Sequence, residues 1–479
     1  MTRDATISRR WALRGAGLTL LGLAAAHMAA ACAAPAAPTA TPAAKPAEKP
    51  AEKPAAAPTA APAPAAAATK PAPAAPAKAK ELRILQWSHF VPAYDTWFDN
   101  FAKDWGGKNK VEVTVDHMPH LEMPARFAAE VASKSGHDMI EFAGQVLTYR
   151  YTDQLADMGE TLEYANRKWG DVEAIGKKLA FVKGKWVGVP NYYIMIAPFV
   201  RKDLFQEVGY DWTKVATWED YLKVGQKLKQ KGNPAGLAIS HCNDANHNWR
   251  AIMWCHGAAE VAEDGKTVTI DTPEMRDFLK FAKQFHQEAN TPEVFAWDDA
   301  SDNRWLASGV GGYIMDALSS YRSIEGQNKE LFDKLAIAPV VKGPKAQISM
   351  PDSNVQTIWQ FAPKENQETA RDFLKYYWDN YKEAFVQSTG YNMPMYANMF
   401  QKPMPIVGAD DRLKIIQEYR GNLIDTFGHP GPPTAEATLT LQGYIIPDMV
   451  GIAVRGASKD SEGEAIKWAK EQLDKIYKK

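Results

Sequence analysis

The sequence predicts an α/β fold in which mostly parallel sheets are flanked by helices. Three observations predict it. From Glu81 onward, short apolar strands alternate with amphipathic helical stretches. The 479 residues exceed what one hydrophobic core holds, so the folded part divides into domains. No window in that part is apolar enough to span a bilayer.

The chain opens on a segment that reads as an address. Ser8-Arg9-Arg10-Trp11-Ala12-Leu13-Arg14 gives a cationic flank with a paired arginine, and an alanine-rich apolar run from Ala16 to Ala31 follows. That order is the physical signature of an export signal, here resembling a twin-arginine (Tat) signal. Ala29-Ala30-Ala31-Cys32 resembles a bacterial lipobox, so residues 1–32 are expected to form a Tat-like lipoprotein signal lipidated at Cys32. Residues 33–80 are almost entirely Ala, Pro, Thr and Lys and bury nothing, so a disordered tether is expected there.

Folded character begins with Leu82-Arg83-Ile84-Leu85-Gln86-Trp87, a buried strand. Tyr94, Trp97, Phe98, Phe101 and Trp105 recur at helical spacing, and Val111, Val113 and Val115 alternate as a second strand. Phe127 to Ser133 predicts a helix and Met139 to Phe142 a third strand. Lys185–Pro190 and Met195–Val200 read as two strands separated by Asn191-Tyr192-Tyr193. Thr217, with Asp220 three residues on, caps a helix that Gly232 closes. Leu237–Ser240 predicts a strand, and Thr272-Pro273 starts a helix whose Met275, Phe278, Leu279, Ala282 and Phe285 share a face. Gly312–Asp316, Leu335–Val340 and Val355–Phe361 predict later strands. Helices are expected over 368–387 and 461–477.

Several of these segments, in this order, resemble family-1 extracellular solute-binding proteins, the maltose-binding-like group. The resemblance is carried by Leu82–Ser88, Val111–His117, Ser135-Gly136-His137-Asp138-Met139-Ile140, Tyr151–Met158, Lys185–Phe205, Thr217-Trp218-Glu219-Asp220 and Gly311–Met315. It implies a two-lobed periplasmic-binding-protein fold of type II, with hinge strands joining the lobes. Residues 81–195 and 341–390 would form one lobe, and 196–340 and 391–479 the other. The crossings would fall near Met195–Pro198, Ile337–Val340 and Gly390–Met393. It also implies the substrate-binding subunit of an ABC import system. Such a protein is exported to the periplasm or cell surface, anchored by its lipid, monomeric, and dependent on a membrane permease as partner.

A sugar presents hydroxyl edges and apolar C–H faces, so its site pairs aromatic rings with Asp, Asn and Gln. Candidates lie where strands end. Trp87, Ser88 and His89 leave the first strand, with core packing the alternative for Trp87. Gln145 follows the third strand. Tyr192 and Tyr193 sit at the first crossing, where consecutive strand residues face opposite ways, so at most one is inward. Asp244 and Trp249 follow a later strand; Asp316, Asp352, Asn354 and Tyr391 complete the set.

Cys242 and Cys255 are a candidate disulfide, with free buried thiols as the alternative. Nearby histidines invite a zinc reading, but no Cys-x-x-Cys pair is present, so neither metal nor cofactor is expected. Lys+Arg 56 against Asp+Glu 57 leaves a net charge of -1 and no polyanion-binding field, so nucleic acid is not expected as a partner. An exported carbohydrate-active hydrolase is the alternative class, but no G-x-S-x-G or H-E-x-x-H motif selects catalytic residues. A polyamine or ferric ion is the alternative ligand.

Overall fold

The computed structural model describes residues 80–400 and 411–478. The signal, Cys32 and the tether lie outside the described residues. β1 (Lys80–Trp87), β2 (Val111–Met118) and β3 (Met139–Ala143) alternate with α1 (Pro92–Asn109) and α2 (Met123–Ser133). Leu82, Ile84 and Leu85 are wholly buried because β1 lies between β2 and β3, covered on both faces. α1 lays Tyr94, Phe98, Phe101 and Trp105 inward, as their spacing predicts. α3 (Gly159–Trp169), α4 (Ala174–Ala180), the short pair β4 (Phe181–Val182) and β5 (Lys185–Trp186), and β6 (Val189–Ile194) follow.

The second sheet starts at β7 (Ala197–Arg201). After it come α5 (Lys202–Glu207), α6 (Trp218–Gln230), α7 (Asn243–Cys255), α8 (Pro273–Glu288) and α9 (Ser301–Ala307). β8 (Tyr313–Asp316), α10 (Leu318–Gln327), α11 (Lys329–Asp333) and β9 (Leu335–Ile337) complete that sheet. β10 (Asp352–Ile358), α12 (Lys364–Asp379), α13 (Tyr381–Gln387) and β11 (Met393–Pro394) return to the first one. Helices Ala435–Gln442, Ile445–Arg455 and Ser461–Tyr477 end the chain, the second of them packed on α7 and α8.

The six-stranded sheet runs β11-β6-β10-β3-β1-β2 and the three-stranded one β8-β7-β9. Only β1–β2 and β1–β3 are parallel ladders; β10 enters antiparallel to β3 and β6, and both ladders of β7 are antiparallel. The large sheet is therefore mixed and the small one wholly antiparallel, where mostly parallel sheets are expected from the sequence. Strands that re-enter a sheet from the other lobe need no βαβ crossover, so nothing forces them to run parallel.

Four further expectations shift. Asn191-Tyr192-Tyr193 is no break: it lies inside β6, and the crossing narrows to Met195–Ile196. Leu237–Ser240 forms no strand, because the Asn290 carboxamide takes the ladder's place. It accepts from Leu237 N–H at 2.9 Å and donates to Leu237 C=O at 2.8 Å. The helix expected over 368–387 breaks at Asn380 into α12 and α13. Gly390–Met393 is not a crossing: Met393 and Pro394 pair with β6 at the edge of the large sheet.

Cys242 and Cys255 are free and buried, which overturns the candidate disulfide. Cys242 caps α7 and Cys255 is its last residue. At about 1.5 Å per residue they stand about 20 Å apart, against a disulfide limit near 7 Å. Cys242 Sγ instead accepts from Ala245 N–H, and Cys255 Sγ–H lies on the Ile348 carbonyl at 3.4 Å.

Candidate functional site

The strands β1, β2 and β3 end on one side of a cavity, and α7, the loop before α9, and the β8–α10 junction form the other. Its floor is the crossing, with Ile194, Ile196 and Asp352. The cavity measures about 30 Å³, room for a water or two, so a larger ligand requires the two sides to separate.

The large-sheet side is aromatic. Trp87 ends β1 with 3% exposure, and its Nε1–H donates to Tyr192 Oη at 2.8 Å. Tyr192 Oη also accepts from Asn354 Nδ2 at 3.0 Å and lies 3.4 Å from Glu141. The Trp87 ring is therefore fixed from behind. Tyr391 lies near-parallel to it, centroids 6.4 Å apart, while Phe90 and His120 stand edge-on. Phe90 is 44% exposed. Gly144 follows β3 at φ +72, where a Cβ would also press on Asp352 Oδ2 at 3.2 Å and Asn243 Nδ2 at 3.3 Å. Only glycine lets the backbone come so close to the cavity.

The opposite side is acidic. Asn243, Asp244 and His247 occupy the first turns of α7. Asp299 accepts from the N–H groups of Asn243 and Asp244 at 2.5 and 3.2 Å, placing a carboxylate on the positive end of that helix. Asp244, Asp302 and Asp316 bring carboxylate oxygens within 4.8 Å of one another. Asn303, with its amide nitrogen turned towards them, donates to Asp316 at 2.7 Å and Asp302 at 3.1 Å. At such spacing two ionised carboxylates repel by about 3 kcal/mol in an effective dielectric of about 20.

The titration of these groups follows. Burial, then the neighbouring carboxylates, hold Asp244 and Asp302 well above the ordinary range. Burial pushes Asp316 up to about 7. Burial also raises Asp352, against the opposing pull of His247 and His120. Asp299 is lowered, because its bonds to His120 and the α7 N–H groups outweigh its burial. His247 is pushed down by burial, towards the neutral ring.

Several contacts span the sides, among them Arg150 Nη1 donating to Gln442 Oε1 at 3.2 Å and Arg322 Nη2 donating to the Thr389 carbonyl at 2.8 Å. His120 Nε2 meets Asp299 Oδ2 at 3.3 Å, and Gln442 Nε2 donates to Gln145 Oε1 at 2.8 Å.

Of the residues singled out in the sequence, Trp87, Asp244, Asp316, Asp352 and Tyr391 line the cavity together. Tyr192 and Asn354 stand behind Trp87. Tyr193 faces the other way, its Oη–H donating to the Tyr419 carbonyl at 2.8 Å. Ser88 does not line the cavity; its N–H donates to the Met118 carbonyl at 2.8 Å. His89 is buried against Trp87. It accepts from Val91 N–H at Nδ1, which leaves Nε2–H for Asn392 at 2.9 Å. Burial lowers its pKa to about 4. Gln145 lies outside the cavity, bonded to Gln442, and Trp249 is a core residue donating to the Ala238 carbonyl.

Sequence reasoning missed Phe90, His120, Asn243, His247, Asp299 and Asp302. His120 carried a usable signal, since it follows the end of β2 just as Trp87 ends β1. Asn243 and His247 share a face with each other at i, i+4 spacing on α7.

Three comparisons bear on this arrangement. A family model described as bacterial extracellular solute-binding protein matches residues 96–411. The diacetylchitobiose binding protein NgcE of Streptomyces coelicolor is 29% identical over 153 residues, 31% of this chain and 30% of that protein. The match thus spans about a third of that relative's length. Among solved structures, a laminaribiose-bound sugar transporter from Arthrobacter chlorophenolicus superposes with a TM-score of 0.71 at 19% identity, covering 83% of this chain and all of that one. Maltose-bound MalE3 of T. maritima gives 0.70 at 18% identity, covering 83% and 100%. The fold of those proteins is the fold of this chain.

Proposed function

Since the chain belongs to the bacterial extracellular solute-binding proteins, we propose that it captures a sugar or oligosaccharide between its lobes and delivers it to an ABC-type importer. The observation that carries this reading is the pairing of a fixed aromatic face, Trp87 with Tyr391 and Phe90, with a facing wall of Asp and Asn side chains. Aromatic faces stack on the C–H faces of a pyranose while carboxylates accept from its hydroxyls. The sugars named for NgcE and for the superposed proteins support the same choice.

The lobes divide as the sheets do. One holds 81–195 and 341–390 together with β11, and the other 196–340 with the C-terminal helices. A cavity of about 30 Å³ belongs to a closed conformer. Ligand enters when the sides part, and its greater affinity for the closed form drives the hinge shut. The permease reads that closed state. Delivery suits an exported chain tethered through lipid on Cys32, with the Ala/Pro-rich segment as spacer.

The chain leaves its ligand unaltered. Glycoside hydrolysis needs a chosen pair of carboxyls across the scissile bond, and no motif in the sequence selects one.

Titration of the full chain with an oligosaccharide panel tests the reading. Saturable quenching of Trp fluorescence with no new product is expected. Turnover would move the chain to the hydrolases, and a panel without any binder would remove sugar as the ligand.

A further inference from the structure

We propose that the sugar held in this cleft carries a protonated amine, seated on the Asp244 and Asp316 carboxylates, with Asp302 beside them. The inference rests on the sugar reading above and narrows its substrate class.

The charge balance of the cavity argues for it. Asp244, Asp302 and Asp316 are 6%, 2% and 2% exposed, with oxygens within 4.8 Å of one another. No Lys or Arg lines the cavity among the described residues. The one arginine of α7, Arg250, is engaged with Glu260 and Asn246. His120 is committed to Asp299, and burial holds His247 towards neutrality. Among the described residues, no Lys or Arg of the cavity lining is left to pair with this trio. The carboxylates either share protons, as the raised pKa of Asp316 indicates, or meet a cation from outside.

A second observation points to a ligand. Asp244 and His247 both line the cavity, and the Oδ2 of Asp244 and the Nδ1 of His247 are buried with no partner. His247 is 3% exposed and is not one of the acids. A buried polar atom left unpaired costs stability unless something completes it. An ammonium group offers three N–H donors, enough for Asp244 and a neighbouring carboxylate. The other wall suits the same group, because Trp87, Phe90 and Tyr391 present π faces and edges around one space. A neutral sugar would supply hydroxyl donors but leave the charge cluster unbalanced. A divalent metal would satisfy the carboxylates but gain little from three aromatic rings.

Calorimetric titration of the full chain at pH 7.5 tests this with glucosamine, N-acetylglucosamine and glucose, and with their β-1,4 disaccharides. Within each set the probes differ at C2, where the substituent is an ammonium, an acetamide or a hydroxyl. Amine forms are expected to bind at least about tenfold more tightly than both neutral forms, weakening with salt. Asp316→Asn is expected to erase about tenfold of that preference, read as the ratio of amine to neutral affinity for the same variant. Its melting temperature without ligand at pH 8 should equal or exceed the parent's, which excludes misfolding as the cause. Neutral forms binding as tightly as the amines overturn the inference and leave the sugar reading standing. Spermidine or Ca²⁺ binding in the absence of any saccharide binding overturns both.

Discussion

The two walls of the cleft are built by different means. The aromatic wall comes from residues at or just beyond strand ends of the large sheet, and its Trp87 ring is fixed by partners behind it. Trp87 is bonded to Tyr192, which Asn354 holds in turn. The acidic wall comes from helix N-termini and a loop on the other lobe, and its members repel one another. The Trp87 ring is braced without ligand, whereas the acidic wall groups carboxyls with no Lys or Arg beside them in the cavity lining among the described residues. Stability should therefore reside in the first and ligand-dependent stabilisation in the second.

Trp87→Ala is the hardest blow to the aromatic wall. It removes a buried ring and leaves the Tyr192 hydroxyl and its neighbours without their indole partner. A cost of about 3–5 kcal/mol in folding stability is expected, together with about a hundredfold loss of affinity. Denaturant melts and titration measure the two. A stability loss below about 1 kcal/mol would mean that the wall is not braced as described.

Glu141 sharpens the contrast, because it is a single carboxylate buried behind the aromatic wall. Burial raises its pKa to about 8. A carboxyl that holds its proton when folded and loses it when unfolded makes folding less favourable as pH rises from about 4.5 to about 8. Glu141→Gln fixes the neutral form. It should melt with the parent at pH 5 and several degrees above it at pH 8.5. Asp316 obeys the same sign between about 4 and about 7, but there a bound amine should cancel the slope. Equal slopes with and without ligand would erase the distinction between the walls.

His120→Ala acts where the walls touch. The pair with Asp299 spans 3.3 Å between side chains 13% and 11% exposed. With both partners mostly buried, removing one is expected to cost about 3 kcal/mol or less. The expected result is a modest increase in the ligand-free radius of gyration by small-angle scattering, with no change in folding stability beyond that figure. A fully open ligand-free protein would show that this contact governs the hinge.

The contrast also explains what the sequence made legible. Trp87 and Asp316 end strands that apolar runs announce, so their place at a strand end could be read directly. Asp299 stands on an irregular stretch and Asp302 in the first turn of α9, with no strand before them, and only the tertiary fold brings them to Asp244. Tyr193 was ambiguous by two-residue periodicity, and the bond to Tyr419 settled it. Ser88 and His89 were misplaced because the chain turns at once after β1. Their polar atoms are consumed by Met118, Val91 and Asn392 instead of facing the cavity.

The smallest expected effect concerns the helix that carries the acidic wall. Cys242 and Cys255 mark its two ends, so no disulfide joins them and the wall is not stapled. Burial pushes the Cys242 thiol up to about 12 and raises Cys255 as well, so neither forms thiolate near neutral pH. Reductant should leave the melting temperature unchanged within about 1 °C, and a thiol reagent should label both cysteines only after denaturation. A reductant-sensitive melt would demand a different course for α7. Asp244 and His247 would move with it, and the balance of the two walls would have to be redrawn.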